Sequence, residues 1–231
     1  MEAWHQPRVK ICCISSVAEA WLAIRYGAAA VGLVSEMPSG PGVIAEASIG
    51  EIARRVPPAV SSFLLTCRQD ANSIIRQQQR TGANTIQICD RLEAGGYDEL
   101  RRALPGIALV QVVHVSGPEA IDEAVRVAAG VDAILLDSGN QSLPVKELGG
   151  TGRTHDWNLS RLIREAVLVP VFLAGGLNSA NIARAVREVG PFGVDVCSGV
   201  RTDGELDEGK LAAFFHSLAG GRSAGRRARY E

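Results

Sequence analysis

The chain has 231 residues, a formal net charge of −1, and a composition that is 46% hydrophobic and 21% charged. The apolar share is enough for a large core, and a charge so near zero gives no electrostatic reason to expect a nucleic acid or an acidic membrane as partner. No apolar run reaches membrane-spanning length and no charged–apolar–small leader opens the chain, so the expectation is a cytoplasmic protein whose partners are small molecules.

Arg8–Cys12 is a short strand pattern. Ser15 or Ser16 can cap a helix through Tyr26, with Gly27 as its stop. Ala29–Val34 is a second apolar strand, followed by the Pro/Gly loop Ser35–Gly42 and a helix over Ala45–Arg55 that Pro57-Pro58 ends. The third strand is Ser62–Cys67, and Asp70 caps a helix to Thr81-Gly82. Thr85–Cys89 is the fourth strand, Tyr97–Leu104 a helix, Ile107–Val115 the fifth strand and Pro118–Ala129 its helix. The sixth strand ends at Asp137, and Trp157–Ala166 is the helix after it. Val169–Leu173 is the seventh strand, Asn178 or Ser179 caps a helix to Val189, Gly193–Cys197 is the eighth strand and Leu206–Leu218 the last helix.

Strands alternating with helices argue for a parallel sheet, and eight such units in this length argue for an α/β fold closed as a single (β/α)8 TIM barrel over residues 1–219. An open doubly wound sheet is disfavoured because no G-x-G-x-x-G follows the first strand. Residues 220–231, rich in glycine and arginine, are expected to form a disordered tail.

The most informative stretch is Val131–Trp157. The apolar run Ala133-Ile134-Leu135-Leu136 stops at Asp137, and Gly149-Gly150-Thr151-Gly152-Arg153-Thr154-His155-Asp156-Trp157 follows. A carboxyl held where a buried strand leaves the core, beside a glycine-rich loop able to close over an anion, suggests an enzyme site. An ordinary surface loop would give the same pattern. In a barrel, catalytic groups sit at the C-terminal strand ends. Cys12 ends the first strand and Asp137 the sixth. A thiol serves as a base when its pKa falls and a carboxyl as an acid when its pKa rises. Lys10, two residues before Cys12, points to the same side of the strand and can place a positive charge near the sulfur, or contact substrate at the rim.

Gly175-Gly176 after the seventh strand and Ser198-Gly199 after the eighth suit a phosphate, because backbone N–H groups can approach an anion there. His114, at the end of the fifth strand, is a candidate ligand contact. His155 and Asp156 are read as orienting their loop and capping the next helix. The five cysteines, Cys12, Cys13, Cys67, Cys89 and Cys197, are odd in number and lack Cys-x-x-Cys spacing, so reduced thiols are favoured over a metal site.

These segments together resemble phosphoribosylanthranilate isomerase, the tryptophan-pathway barrel. The resemblance is carried by Val9-Lys10-Ile11-Cys12, by Leu135-Leu136-Asp137 with Gly149–Trp157, by Gly175-Gly176-Leu177-Asn178, and by Pro191–Val200. It implies an Amadori rearrangement of a phosphoribosyl-aminobenzoate to a 1-deoxyribulose phosphate. By position, Asp137 matches the general acid that protonates the ribose ring oxygen and Cys12 the base that takes the C2′ proton. Gly175, Gly176, Ser198 and Gly199 match the phosphate site. No metal or organic cofactor is implied.

Departures from the family pattern cluster on one side. Cys13 stands where the family usually has glycine. The Ser35–Gly42 loop lacks the arginine that holds the anthranilate carboxylate. Gln87-Ile88-Cys89-Asp90 replaces Gln-Leu-His-Gly, and Arg201 follows Gly199-Val200 in place of an acid. Losing a fork donor for a carboxylate weakens binding by about 1.5–3 kcal/mol unless another cation replaces it. Arg68, just past the third strand, and Arg201, just past the eighth, are the candidates for that role; Arg68 is preferred because its strand adjoins the altered loop, and Arg201 is as well placed to meet the phosphate. Two readings stay open: an isomerase of this type, or a diverged barrel that acts on another aminoaldose phosphate or only binds a sugar phosphate.

Overall fold

The computed structural model describes residues 6–139, 143–150 and 152–227. Eight parallel strands close a barrel in sequential order: β1 (Arg8–Ile11), β2 (Ala30–Val34), β3 (Ser61–Thr66), β4 (Thr85–Ile88), β5 (Ala108–His114), β6 (Ala133–Asp137), β7 (Val171–Leu173) and β8 (Gly193–Val196). Helices α1 (Val17–Arg25), α2 (Glu46–Ala53), α3 (Ala71–Thr81), α4 (Tyr97–Ala103), α5 (Glu119–Ala128), α6 (Trp157–Ala166), α7 (Ile182–Val189) and α8 (Glu208–Arg227) alternate with them. This is the (β/α)8 barrel that the alternation of elements predicts.

Local chemistry sets most of the ends. The Ser16 hydroxyl accepts from the Glu19 N–H at 3.2 Å and caps α1. The Asp70 carboxylate accepts from the Ser73 N–H at 2.9 Å at the start of α3. Gly82 closes α3 in the left-handed conformation that glycine adopts without penalty. Two ends differ from expectation. Asn181 is the cap residue of α7, because Asn178 instead accepts from the Ala180 N–H at 2.9 Å and builds the turn before the helix. After β8 there is no immediate α-helix: a short 3₁₀ turn (Ser198–Val200) leads into an antiparallel ribbon, β9 (Arg201–Thr202) with β10 (Glu205–Leu206), before α8 begins. The two-residue strands are too short to carry a period-2 signal.

The backbone of α8 is helical through Arg227, beyond the Leu218 end expected and into the segment read as a disordered tail. Ala224 and the three arginines there are good helix formers and continue a register already begun at Glu208, against the cost of Gly220, Gly221 and Gly225. Residues 228–231 lie outside the described residues.

Side-chain parity organises the core. Along β6, Ile134 and Leu136 pack outward against the helices, whereas Ala133 and Leu135 belong to the inner cluster. Strand residues alternate faces, so Asp137 continues the inner row. The same count on β1 sends Val9 and Ile11 outward and Lys10 and Cys12 inward. Inside the barrel Phe172 meets Phe63 and Phe192 edge-on, with ring centroids 5.9 and 5.4 Å apart. A Cβ at position 193 would come within 2.4 Å of the Phe172 ring, so Gly193 makes room for that aromatic layer.

Candidate active site

Four inward rows end at one rim of the barrel. Cys12 follows β1, its N–H donating to the Val196 carbonyl at 2.9 Å and extending the β1–β8 ladder by one rung. Asp137 ends β6, Cys89 follows β4 and Cys197 follows β8. Together with Gly175, Gly176 and Ser198 they line a cleft of about 680 Å³, open solvent at its entrance included. The two residues expected to be acid and base therefore share a wall with both glycine turns. Gly199 is not part of the lining; a Cβ there would meet the Leu177 carbonyl at 2.0 Å, so its role is to let the β8 turn pack against the β7 turn.

Beneath the cleft lies a buried ion pair. Lys10 is fully buried, and its ammonium donates to Asp195 at 2.8 Å while standing 5.3 Å from the centroid of the Phe63 ring. Burial alone would pull the Lys10 pKa down. The charge and hydrogen bond of Asp195, together with Cys12 and Cys13, outweigh it, and the net shift is upward. Lys10 is thus a fixed cation. Gly32 shows where that cation points, because a Cβ there would lie 2.9 Å from the Cys12 Sγ and 3.1 Å from the Lys10 Nζ. Thiol and ammonium flank the same glycine, on the shared face that their spacing implies. Lys10 itself does not line the cleft, so it acts as a charge below the sulfur and not as a rim contact. Its partner Asp195 was missed in the sequence, although inward parity on β8 and the need to neutralise a buried lysine both point to it.

Burial pushes the Asp137 carboxyl above the usual range, and the charge of Asp195 adds to this. The Ser138 N–H, donating at 2.7 Å, the neighbouring His114 and the Lys10 ammonium oppose it without cancelling it. The glycine-rich loop comes close above: a Cβ at Gly149, where φ is +139°, would sit 2.8 Å from Asp137 Oδ2. Thr151 of this motif lies outside the described residues. His155 contacts the Ser160 hydroxyl at 2.6 Å, and burial lowers its pKa to about 4, so it is a neutral loop-orienting group. Asp156 caps α6, accepting from the Asn158 N–H at 2.8 Å.

The Ser35–Gly42 loop and the glycine-rich loop meet across the cleft. The Ser39 hydroxyl donates to the Lys146 carbonyl at 2.7 Å, and a Cβ at Gly150 would come within 2.6 Å of the Pro41 ring. Val34, Met37, Leu65 and Leu148 make this side of the lining apolar. Among the described residues no lysine or arginine lines it.

The expected replacement cations lie elsewhere. Arg201 is buried: its guanidinium donates to Glu19 at 3.0 Å, to the Cys13 carbonyl at 2.6 Å, to the Cys12 carbonyl at 3.2 Å and to the Gly204 carbonyl at 2.8 Å. It is a strut between the β8 turn and the segment after β1. Glu19, which also accepts from the Ser15 and Leu206 N–H groups at 2.8 Å, is the anchor that sequence reading missed. Arg68 turns towards Glu46 on α2, 3.6 Å away, and is absent from the lining. His114 contacts the Cys89 carbonyl at 3.1 Å and lines a neighbouring cleft with Asp90 and Lys146. Among the described residues no group of three or more His, Cys, Asp or Glu side chains could hold a metal ion.

A surprise is Cys13. Parity would send it outward, but its φ is +62°, and its side chain joins Cys12 in the inner cluster. A non-glycine residue held there costs about 1–3 kcal/mol, which explains why a glycine pattern is natural at this position.

The family model for N-(5'-phosphoribosyl)anthranilate (PRA) isomerase matches residues 9–217. N-(5'-phosphoribosyl)anthranilate isomerase 2 of Methanosarcina mazei is 36% identical over 211 residues, covering 90% of this chain and 92% of that protein. The Halorubrum lacusprofundi isomerase is 37% identical, covering 90% and 94%. Among solved structures, phosphoribosyl anthranilate isomerase from Thermotoga maritima superposes with a TM-score of 0.76 at 28% identity, covering 93% of this chain and 99% of that one. A phosphoribosyl anthranilate isomerase in complex with reduced 1-(o-carboxyphenylamino)-1-deoxyribulose 5-phosphate gives 0.74 at 26% identity, with the same coverage.

Proposed function

Since the chain belongs to the N-(5'-phosphoribosyl)anthranilate isomerase family, we propose that it converts the phosphoribosyl aminobenzoate into the 1-deoxyribulose 5-phosphate, with Asp137 as general acid and Cys12 as general base. The observation that carries this reading is that both side chains line one cleft with the Gly175-Gly176 and Ser198 turns.

The reaction needs a proton delivered to the ribose ring oxygen as its bond to C1′ breaks. Asp137 suits that step, because its raised pKa keeps the proton available to higher pH than an ordinary carboxyl would. The anilino nitrogen lone pair completes an iminium at C1′, which acidifies the C2′ proton. Cys12 takes that proton as a thiolate, with the Lys10 cation beside the sulfur. Loss of the 2′-hydroxyl proton and return of a proton to C1′ then give the ketone. Nothing is added or lost, so the protein supplies only proton transfer and positioning. The phosphate is placed at the β7 and β8 turns, where Gly175 and Gly176 have φ of +82° and +60° and bring the backbone close to the anion. The aromatic ring is placed against Val34, Met37, Leu65 and Leu148.

The experiment is turnover by the purified protein, followed by appearance of the ketone carbon in NMR. Asp137→Asn and Cys12→Ser should each lower kcat by about two to four decades with intact folds. Near-wild-type rates in either variant would remove that residue from its role, and no ketose from the wild-type protein would remove the activity.

A further inference from the structure

On β1 and β8 the last paired residues are Ile11 and Val196, and the Cys12 N–H reaches the Val196 carbonyl one rung further. Cys197 therefore follows the strand that runs beside Cys12 and Cys13. Neighbouring strands lie about 4.8 Å apart, inside the Cα spacing that a disulfide spans. The left-handed backbone at Cys13 turns its side chain towards β8 instead of the helices. Its Sγ then comes 2.6 Å from the Cys197 Sγ. A packed wall holds it there, since a Cβ at Gly42 would lie only 2.5 Å from the Cys13 Cβ. Both sulfurs border the cleft, with Cys13 buried and Cys197 partly exposed.

We propose that Cys13 and Cys197 form a redox-active dithiol, a site that small-molecule disulfides convert reversibly to an intramolecular disulfide. Of the three remaining thiols, Cys67 faces the Glu36 carbonyl at 3.1 Å and Cys89 is fully enclosed next to Gln87, while Cys12 hydrogen-bonds Cys13 and is the one thiol that could compete for it.

The chemistry divides between the two sulfurs. Contact with Cys13 lowers the Cys197 pKa against the opposing effect of burial, and the charge of Arg201 helps. Hydrogen bonds to Cys12 and to Cys197 push Cys13 up. Cys197 is the attacking thiolate and Cys13 the protonated resolving thiol. In the first step the Cys197 sulfur bonds to one sulfur of the reagent, whose S–S bond breaks and releases a thiolate. In the second, Cys13 gives its proton to that thiolate and attacks Cys197, forming the internal bond and expelling the second reagent thiolate, which takes a proton from water. Two protein thiols are oxidised and one small disulfide is reduced to two thiols.

The test uses the whole chain and glutathione disulfide, followed by alkylation, thiol counting in denaturant and peptide mapping. Titratable thiols should fall from the five in the sequence to three. The peptide carrying Cys12 and Cys13 should be linked to the one carrying Cys197, and dithiothreitol should restore all five. Cys12→Ser should keep the link and Cys13→Gly should lose it, glycine being suited to a φ of +62°. Circular dichroism confirms that each variant is folded. A stable glutathione adduct on wild-type Cys197 without the internal link would overturn the proposal. So would a link that survives Cys13→Gly through Cys12. Because the readout is chemical, it stands or falls separately from the isomerase activity.

Discussion

Arg201, one of two candidates for the substrate carboxylate, is instead buried in the wall, which makes a strong test. Arg201→Met removes the cation from a pair whose side chains are only 6% and 10% exposed, leaving the Glu19 carboxylate enclosed. It also strips donors from the Cys12 and Cys13 carbonyls. Breaking a buried pair from one side costs about 3–5 kcal/mol. Taking about 4 kcal/mol, and about 2–4 °C per kcal/mol for a chain of this size, Tm should drop by about 8–16 °C. The carbonyls released belong to the segment that carries Cys12, so kcat should fall with Tm while KM moves little. The acid limb should change as well. Burial pushes Glu19 up, but Arg201 and the N–H groups of Ser15 and Leu206 outweigh it and hold the pKa below the usual value. Its stabilisation is complete above the unfolded value of about 4.3 and fades as pH falls through the lower folded value. Arg201→Met should therefore lose part of the steepness of acid unfolding. Scanning calorimetry over pH 3–8 is the assay. A Tm within about 2 °C of wild type, with KM raised, would refute the strut and return Arg201 to substrate binding.

Asp137→Asn should be catalytically poor yet more stable than wild type at neutral pH. A carboxyl with a raised folded pKa binds its proton more tightly in the folded state, so stability declines as pH rises from about 3.9 through the folded value. Chemical denaturation at pH 4 and pH 8 should show the variant's advantage only at pH 8; an advantage at neither would contradict the burial argument. Arg68→Ala, at a side chain 37% exposed and turned to Glu46, should leave KM within about threefold and stability within about 1 kcal/mol; a tenfold rise in KM, measured by steady-state kinetics, would place its guanidinium on the substrate carboxylate after all. Millimolar ribose 5-phosphate should raise Tm, and Gly176→Ala should abolish the rise. A Cβ there would lie 2.8 Å from the Arg153 carbonyl carbon, at a φ of +60°. An unchanged shift in that variant would move the phosphate elsewhere.

The barrel was legible because its strands are short apolar runs, and the ends of the first and sixth of them already put Cys12 and Asp137 at one rim. What stayed hidden depends on partners far apart in sequence. Lys10 finds Asp195 across 185 positions and Arg201 finds Glu19 across 182, and although alternation turns Lys10 and Asp195 inward, nothing local to Arg201 announces its burial. The inward turn of Cys13 was hidden for another reason: alternation assumes extended backbone, and a single residue at positive φ breaks the count. The ribbon after β8 was absent from the reading because two-residue strands have no period to detect.

That one cleft holds the acid, the base and the phosphate turns is tested most directly by a crystal structure of this protein with reduced 1-(o-carboxyphenylamino)-1-deoxyribulose 5-phosphate bound. The phosphate should lie between Gly175-Gly176 and Ser198, with the Asp137 carboxyl within hydrogen-bond distance of the former ring oxygen. The Cys12 Sγ should stand over C2′ on the same ligand, and the carboxyphenyl ring should rest against Met37 and Leu148. A ligand seated in the neighbouring cleft of His114 and Lys146, or one whose C2′ lies beyond reach of Cys12, would contradict it.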